Sequence, residues 1–279
     1  MKIPQREPRS YERVQEHYRI EKELAARLRS ASQSERQRMY TAVYDELFQR
    51  VPDHPQLTMK LDERLRRTEV SQRLNLVRPY LKPETIYLEV GPGDCAFALA
   101  VARRVRKVYA IDVSKEILGG VMQHGNFELA MSDGCSVPVP EGSVDLAYSD
   151  QLMEHLHPDD ARTQLENIYQ ALKPGGTYLC ITPNRLSGPH DVSRYFDEVA
   201  TGFHLREYTV RELTELFRSA GFRKFKILIG GRGVHLPLAP ALVHVIEKAL
   251  TLLPKTFGRK LARGLPLRLV LGAKVVAVK

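Results

Sequence analysis

The chain has 279 residues, of which 43% are hydrophobic and 27% charged, so its composition is that of an ordinary globular protein. The sequence contains no run of about 18 apolar residues, which excludes a membrane-spanning helix. The charged start Met1–Glu7 predicts that no secretory signal peptide is present. The three cysteines lack metal-ligand spacing and predict neither a disulfide framework nor a structural zinc site, so a cytoplasmic location is expected.

The net charge of +9 (42 − 33) is unevenly distributed along the chain. Residues 1–85 carry +5, residues 86–222 carry −7, and residues 223–279 carry +11, with 12 Lys or Arg and a single acid. One interpretation is that the basic ends are simply solvated. The other is an anionic partner, either a lipid surface or an acidic substrate. No nucleic acid is expected, because no RNA-binding or zinc-finger pattern occurs and the chain has no tryptophan.

The N-terminal residues 1–84 are predicted to form a helical cap region. Charged and apolar residues at helical spacing indicate three helices. A serine is the expected N-cap of the second helix, and two prolines are expected to end the third. The predicted helices are Tyr11–Arg29, Ser34–Gln49 (N-cap Ser34) and Met59–Val77, the last followed by Pro79 and Pro83.

From residue 85 the pattern changes to strands that alternate with helices. The predicted strands are Thr85–Val90, Lys107–Ile111, Phe127–Met131, Val144–Ser149, Gly176–Thr182 and Phe225–Ile229. The helices between them are Cys95–Arg104, Ser114–Gln123, Asp159–Leu172 and Val210–Ala220. This alternation predicts βαβ units and a mostly parallel sheet with helices on both faces.

The C-terminal part departs from this alternation. Leu236–Leu253 is apolar and predicts a helix, Lys255–Arg263 is basic, and Leu269–Val278 is predicted to be a closing strand. The apolar helix either packs against the N-terminal helices or lies with its basic neighbours on anionic lipid. The second interpretation places the protein at the periphery of the inner membrane face, through residues 236–268.

A glycine-rich turn follows the first predicted strand and precedes a helix. Gly91 permits a tight turn and Gly93 permits close approach of the backbone to a ligand. Asp112 ends the next strand, where its carboxylate can accept both ribose hydroxyls of an adenosine. A dinucleotide site requires a third glycine where this chain has Ala96, and the Glu89 carboxylate favours a cationic ligand over a pyrophosphate.

These motifs and three later ones resemble the class I S-adenosylmethionine-dependent methyltransferases of the small-molecule type. The chain is similar to the group that methylates quinones and natural products on oxygen. The resemblance covers about residues 85–230. The matching motifs are Glu89-Val90-Gly91-Pro92-Gly93-Asp94, Ile111-Asp112, Ser132-Asp133-Gly134, the strand Ser143–Ser149 and the turn Leu172-Lys173-Pro174-Gly175-Gly176-Thr177.

The resemblance implies a Rossmann-like, doubly wound α/β fold with seven strands and S-adenosylmethionine as cofactor. It also implies that residues 85–279 form the cofactor-binding domain, with a helical, basic insertion at about 234–265 before the last strand. The residues it assigns to cofactor binding are Glu89, Gly91, Pro92, Gly93, Asp112, Val113, Asp133 and Gly134. Among these, Asp112 would bind the ribose and Asp133 the adenine amino group.

The side of the methyl acceptor is less determined. The stretch Glu154-His155-Leu156 resembles a segment of small-molecule methyltransferases, and His155 is a candidate general base. His190 and Asp191, in the long loop after the fifth strand, are further catalytic candidates. Each of these residues has a structural alternative, as a buttress of the pocket or as part of a lid. No metal is predicted, although Asp150, Glu154 and His155 offer three local ligands.

Three classes of function remain open at this point. The preferred hypothesis is methyl transfer to a small-molecule acceptor, with a hydroxyl oxygen as the preferred target atom. The alternatives are a catalytically degenerate scaffold that binds the cofactor and a dinucleotide-dependent oxidoreductase. The acceptor is expected to be a small molecule, lipid-like or anionic, and the sequence leaves the oligomeric state open.

Overall fold

A computed structural model of the chain describes residues 7–58, 63–114, 125–231 and 233–279. An eight-stranded sheet forms its centre. Its strands are β1 (Ile86–Val90), β2 (Lys107–Asp112), β3 (Phe127–Met131), β4 (Val144–Asp150), β5 (Leu172–Thr182), β6 (Lys224–Gly231), β7 (Val234–Leu238) and β8 (Ala273–Val278). The helices are α1 (Tyr11–Ser30), α2 (Gln33–Arg50), α3 (Pro55–Thr58), α4 (Glu63–Val77), α5 (Ala96–Ala102), α6 (Pro158–Ala171), α7 (Val210–Ser219), α8 (Pro240–Thr251), α9 (Lys255–Arg263) and α10 (Leu265–Leu271).

The strand order confirms the predicted Rossmann-like, mostly parallel α/β fold. The spatial order is β3-β2-β1-β4-β5-β8-β6-β7. Strands β1 to β5 are parallel to one another, whereas β8 is antiparallel to both β5 and β6. The strand order reverses between β1 and β4, and ligands of such sheets bind at this point, outside the carboxyl ends of the strands.

The predicted number of seven strands is wrong. The additional strand, β7, forms an antiparallel hairpin with β6 at the edge of the sheet. It occupies Val234–Leu238, where the apolar run was expected to be helical, and α8 begins only at Pro240. Gly230 has a φ of +112° and Gly233 a φ of +87°, so the chain turns back on β6 at glycines that tolerate these values. A strand with Pro237 is tolerated at this position because it lies at an edge.

Other predicted boundaries move by a few residues. Helix α2 begins at Gln33, one residue earlier than expected, because Ser32 and not Ser34 is the N-cap. The Ser32 N–H donates to Glu35 Oε2 at 2.7 Å, as in a capping box. The predicted closing strand is shorter, since Leu265–Leu271 is helix α10 and β8 begins at Ala273. The helix predicted over Ser114–Gln123 lies almost wholly outside the described residues.

The N-terminal helices share the hydrophobic cores of the sheet. Leu24 and Leu28 of α1 and Val43 of α2 belong to the same buried cluster as Val90 and Ile111. On the opposite face, the end of α4 packs with α5 against the alternate side chains of the strands. The division at residue 84 between a cap region and a domain stays a prediction. No described helix is both long and apolar enough to cross a membrane.

Helix α2 is tied to the start of α6 by a buried ion pair. Arg36 donates to both oxygens of Asp160, at 2.6 and 2.9 Å, and Tyr40 donates to the same carboxylate at 2.7 Å. Arg36 is 3% and Asp160 0% exposed. The carboxylate also lies in the first turn of α6, where the helix dipole favours negative charge. These contacts hold α2 over the carboxyl ends of the strands.

Candidate active site

A cavity of about 440 Å³ lies at the reversal point of the strand order. The carboxyl ends of β1, β2 and β4 line one side, and side chains of α2 and α4 line the other. Seven of the eight residues predicted to bind the cofactor line this cavity: Glu89, Gly91, Pro92, Gly93, Asp112, Val113 and Gly134. The structure therefore brings together residues that are 45 positions apart in the sequence.

The turn between β1 and α5 presents its backbone to the cavity. Gly91 and Gly93 have φ values of +72° and +58°, which side chains other than glycine rarely adopt. A Cβ atom on Gly93 would meet no atom of the described residues within 4 Å, so these residues leave space above it for a ligand. A Cβ atom on Gly91 would lie 3.2 Å from Leu152, a residue that also lines the cavity.

Glu89 is a buried carboxyl group at the cavity, with 2% of its surface exposed. Burial raises the pKa of Glu89 to about 8, although the charge of Arg73 and a hydrogen bond from Tyr87 act in the opposite direction. A positively charged ligand group beside it would favour its ionised form. The cavity therefore contains a buried carboxyl group whose ionised form a cationic ligand would stabilise; that such a ligand binds there stays a prediction.

Asp112 ends β2 at the cavity wall and is 8% exposed. Its Oδ1 accepts the backbone N–H of Ser114 at 3.0 Å, which orients the carboxylate at the strand end. Val113 follows it in the lining, and its carbonyl oxygen accepts a 2.5 Å hydrogen bond from Thr41 of α2. The predicted ribose-binding position is thus built jointly by β2 and the cap.

Asp133 and Gly134, which follow β3, have different positions. Asp133 is not in the cavity lining: its Oδ1 accepts the N–H groups of Cys135 and Ser136 at 2.9 and 2.6 Å. Burial would raise the pKa of Asp133, but these backbone hydrogen bonds outweigh it and lower the pKa. Gly134 lines the cavity, and the ring of Tyr40 packs so closely on it that a Cβ atom would lie 2.7 Å from the ring.

Of the four predicted catalytic residues, only His155 lines the cavity. Its Nδ1 lies 3.1 Å from the carbonyl oxygen of Phe203 and must donate to it, which leaves Nε2 with a lone pair. Burial lowers the pKa of His155 to about 3, and the neighbouring His204 acts in the same direction. The imidazole is therefore neutral at ordinary pH, and its Nε2 lone pair can accept a hydrogen bond or bind a ligand.

Glu154 lies directly behind His155 and is fully buried. Its Oε2 accepts a 2.9 Å hydrogen bond from Thr182, whereas no described atom forms a hydrogen bond with Oε1. Burial raises the pKa of Glu154 to about 7, although the charge of His204 opposes this shift.

His190 and Asp191 lie away from the cavity and hold the long loop after β5 in shape. His190 donates its backbone N–H to Glu207 at 2.7 Å. The Asp191 carboxylate accepts the N–H groups of Ser193 and Gly202 at 3.0 and 3.1 Å. Their predicted catalytic role stays a hypothesis, and the described geometry favours the structural alternative for this pair.

Several cavity residues were not singled out from the sequence. Arg66, Glu69 and Arg73 line the cavity from one face of α4, and their helical spacing is a signal that could have identified them. Gln151 follows β4 with a φ of +55°, which is strained for a residue with a side chain. Nothing in the sequence indicates this conformation.

Comparison with known proteins agrees with this geometry. Residues 88–180 match the family described as a methyltransferase domain. A protein of Mycolicibacterium smegmatis named "Probable S-adenosylmethionine-dependent methyltransferase" is 32% identical over 143 residues, which are 48% of this chain and 51% of that protein. "O-methyltransferase resE" of Aspergillus sclerotiorum is 28% identical over 153 residues, 49% of this chain and 54% of that protein. The chain spans about half the length of the curated relatives it matches.

Solved structures share the fold. A S-adenosylmethionine-dependent methyltransferase from Archaeoglobus fulgidus matches with a TM-score of 0.50 at 19% identity, over 76% of this chain and 94% of that one. Residues 88–180 thus resemble an S-adenosylmethionine-dependent methyltransferase domain. The matched residues include the end of β1 with its glycine turn, Asp112, Gly134 and His155. The curated relatives from mycobacteria are named as S-adenosylmethionine-dependent enzymes.

Proposed function

We propose that this protein transfers a methyl group from S-adenosylmethionine to a hydroxyl oxygen of a small molecule. The observation that carries the proposal is a single cavity that joins the glycine turn, Glu89 and Asp112 to His155. The similarity to an O-methyltransferase from Aspergillus sclerotiorum supports oxygen as the methylated atom. When bound, S-adenosylmethionine supplies a methyl group already activated by its sulfonium.

The residues present fit this cofactor by shape and by charge. The open space above Gly93 admits a ligand against the backbone, and Asp112 stands at the wall with its carboxylate oriented by Ser114. The buried Glu89 carboxyl group favours a cationic ligand. The protein's task is then to hold donor and acceptor in line and to exclude water, which suits the aromatic side chains of Tyr44 and Phe48 at the cavity.

The acceptor hydroxyl must lose its proton as its oxygen gains the methyl group. We propose that this loss is promoted at His155, whose Nδ1–H is fixed by Phe203 and whose Nε2 lone pair is available. The buried Glu154 carboxyl group lies within 4.8 Å of a His155 ring nitrogen, and its ionised form would stabilise a positive charge on the imidazole. His190 and Asp191 would act on this chemistry only through the loop that they stabilise.

Calorimetric binding of S-adenosylhomocysteine tests the cofactor site. We expect the wild type to bind it and Asp112→Ala to bind at least about tenfold more weakly, because hydrogen bonds to a charged group contribute about 1.5–3 kcal/mol. Asp53→Ala, which removes an exposed carboxylate paired with Arg13, is the control and should bind as the wild type. Absence of binding to folded wild-type protein would overturn the proposed function.

We also propose that the C-terminal region contacts an anionic lipid surface, which would bring the protein close to a lipid-like acceptor. Nine of the thirteen large hydrophobic side chains that are exposed in the described part of the chain lie between residues 234 and 269. Leu252 is 79% exposed, and the exposed side chains of Phe257, Leu261, Leu265 and Leu269 follow it at intervals of four residues from Phe257 onward.

The positive charge of the C-terminal region, residues 234–269, favours an anionic partner. The only acid among residues 223–279 is Glu247, which is buried, while Lys255, Lys260 and Arg268 are exposed. A second copy of the same surface would bring like charges together, whereas anionic lipid headgroups satisfy both the charge and the apolar side chains. The geometry therefore favours a lipid surface over self-association.

Sedimentation with vesicles tests this contact. At low salt we expect the protein to sediment with phosphatidylglycerol vesicles but not with phosphatidylcholine vesicles, and the binding should weaken as salt is raised. The double variant Leu252→Gln/Phe257→Gln should lower the bound fraction, whereas Val199→Gln, an exposed residue outside this surface, should not. Failure of the wild type to bind phosphatidylglycerol vesicles at low salt would exclude the contact.

A further inference from the structure

Two groups of buried histidine and glutamate side chains bring potential metal-ligating atoms within 4.8 Å of one another in the described part of the chain. The first consists of His17, Glu21 and His54, on the N-terminal helices and the segment after them. The second consists of Glu154, His155 and His204, at the end of the cavity. The two groups have the same composition and differ in whether their ligand atoms are already hydrogen-bonded.

The first group is satisfied by its own hydrogen bonds. Glu21 Oε1 accepts from His17 Nε2 at 2.7 Å and lies 3.6 Å from His54 Nε2. The opposite ring nitrogens are also engaged, since His17 Nδ1 contacts Arg9 at 2.9 Å and His54 Nδ1 accepts the N–H of Gln56 at 3.2 Å. Both rings therefore present N–H groups to the carboxylate, and an ion would have to displace them.

In the second group both histidines form their hydrogen bonds through Nδ1, which leaves the Nε2 atom of each ring with a lone pair. His155 donates from Nδ1 to the Phe203 carbonyl oxygen at 3.1 Å, and His204 donates from Nδ1 to Glu207 Oε1 at 2.8 Å. Within the described ranges neither Nε2 atom forms a hydrogen bond. Metal-ligating histidines nearly always donate their second ring N–H to a carbonyl or a carboxylate in this way, which fixes the tautomer with a free lone pair.

The carboxylate of the second group has an oxygen to spare. Glu154 is fully buried, Oε2 accepts from Thr182, and Oε1 has no partner among the described atoms. A buried carboxylate oxygen without a partner is costly unless it is protonated or binds a cation. Asp150, which the sequence offered as a third ligand, is instead paired with Arg73 at 3.0 Å. The third candidate ligand is His204, from the loop that precedes α7.

We propose that Glu154, His155 and His204 form a binding site for a divalent transition-metal ion of the zinc type. Two imidazole nitrogens and one carboxylate oxygen are a ligand set that Zn²⁺ accepts, and three protein ligands leave a fourth position open. His155 is the member that also lines the cavity, so the ion lies at the cavity wall.

The use of the ion rests on the proposed function. An acceptor hydroxyl at the open position would ionise more readily, its proton passing to water, because a bound divalent ion lowers the pKa of the oxygen that it holds. One lone pair of His155 cannot hold a proton and an ion together. In the metal-loaded protein the ion, and not His155, therefore promotes the loss of the proton from the acceptor hydroxyl.

Metal stoichiometry tests the site without reference to turnover. The full chain is stripped with a chelator, incubated with Zn²⁺, passed through a desalting column and analysed for metal by mass spectrometry. We expect one retained equivalent in the wild type and none in His204→Ala. His54→Ala removes an equally buried histidine of the satisfied group and should retain the full equivalent. Substitution with Co²⁺ should give a visible d–d absorption band in the wild type that His204→Ala lacks.

Each outcome decides the proposal. Stoichiometric zinc that is lost in His204→Ala and kept in His54→Ala supports it, and Glu154→Gln provides the same comparison if circular dichroism shows that His204→Ala does not fold. Wild-type protein that retains no zinc, or equal losses in His204→Ala and His54→Ala, overturns it. Binding of S-adenosylhomocysteine is measured on the same samples. If the protein binds S-adenosylhomocysteine but no zinc, the metal-site proposal is wrong and the proposed function still stands.

Discussion

The protonation state of Glu89 affects both the stability of the folded protein and the binding of a charged ligand. Its burial at the cavity holds its pKa at about 8, so the folded protein keeps this proton at a pH where the unfolded chain, with an ordinary pKa of 4.5, has lost it. Between these two values the folded state binds more protons, and the free energy of unfolding therefore falls as pH rises. A cationic ligand that favours the ionised form offsets this loss.

We expect the affinity for S-adenosylhomocysteine, whose amino group is cationic, to increase as pH rises from 6 to 8. The gain is at most about tenfold per pH unit, since one proton is released on binding. Glu89→Gln should bind more weakly and without this pH dependence, whereas Glu141→Gln, an exposed position, should behave as the wild type. Calorimetry at three pH values measures the effect, and a wild-type affinity that does not change with pH would contradict the assignment of Glu89.

Gly134 shows how close the cap approaches the sheet. We expect Gly134→Ala to lower the free energy of unfolding by about 1–3 kcal/mol, because the new Cβ atom would lie 2.7 Å from the Tyr40 ring. Gly142→Ala is a matched control: Gly142 also has a positive φ, +60°, but a Cβ atom there would meet nothing within 4 Å. Urea unfolding of both variants separates the clash from the backbone strain, and equal losses would show that the Tyr40 contact is unimportant.

At the scale of the elements, the cap is held by polar contacts that are removed from water. Arg36 of α2 and Asp160 of α6 are an ion pair of this kind, and Tyr40 adds a third group to it. Exposed pairs between the same helices and their neighbours contribute little, since solvent screens them. The position of α2 over the cavity therefore depends on one buried network and on the apolar contacts around it.

We expect Arg36→Met to lower the free energy of unfolding by about 3–5 kcal/mol, because it leaves the Asp160 carboxylate buried without its cation. Arg13→Met breaks the pair with Asp53, whose side chains are 46% and 32% exposed, and should cost less than about 1 kcal/mol. Chemical unfolding followed by circular dichroism measures both. Similar losses in the two variants would argue that the buried pair does not anchor the cap.

At the scale of the whole molecule, the N-terminal helices and the sheet share one hydrophobic cluster. Residues of α1 and α2 are as fully buried in it as those of β1, and a core of this kind favours cooperative unfolding. Helices α1 and α2 and the strands that line the cavity are thus expected to open together, although the sequence places them in separate regions.

We expect native-state hydrogen exchange to report the same opening free energy for peptides of α1 and α2 as for peptides of β1 and β4. Saturation with S-adenosylhomocysteine should raise all of them together, by about 2.7 kcal/mol at a ligand concentration of 100 times its Kd. Mass spectrometry of digested samples resolves these segments. Faster exchange of residues 11–50 through a lower-energy opening would show instead that the cap unfolds on its own.

The sequence by itself determined the alternation of strands and helices, the mostly parallel sheet and the glycine-rich turn after β1, because these follow from local periodicity and from the positions of the glycines. It placed β3 at Phe127–Met131, as the structure has it. It did not predict β7, because strand pairing at an edge depends on the partner β6 and not on the apolar run alone.

Only the tertiary structure decided which polar residues meet at the cavity. His190 and Asp191 carry suitable chemistry in sequence, yet their hydrogen bonds turn them into the loop and away from the cavity. Arg73 pairs with Asp150, which is 77 residues away in the sequence. His204 lies close to Glu154, which is 50 residues away. Long-range contacts of this kind depend on how whole elements pack, and no local pattern in the chain encodes them.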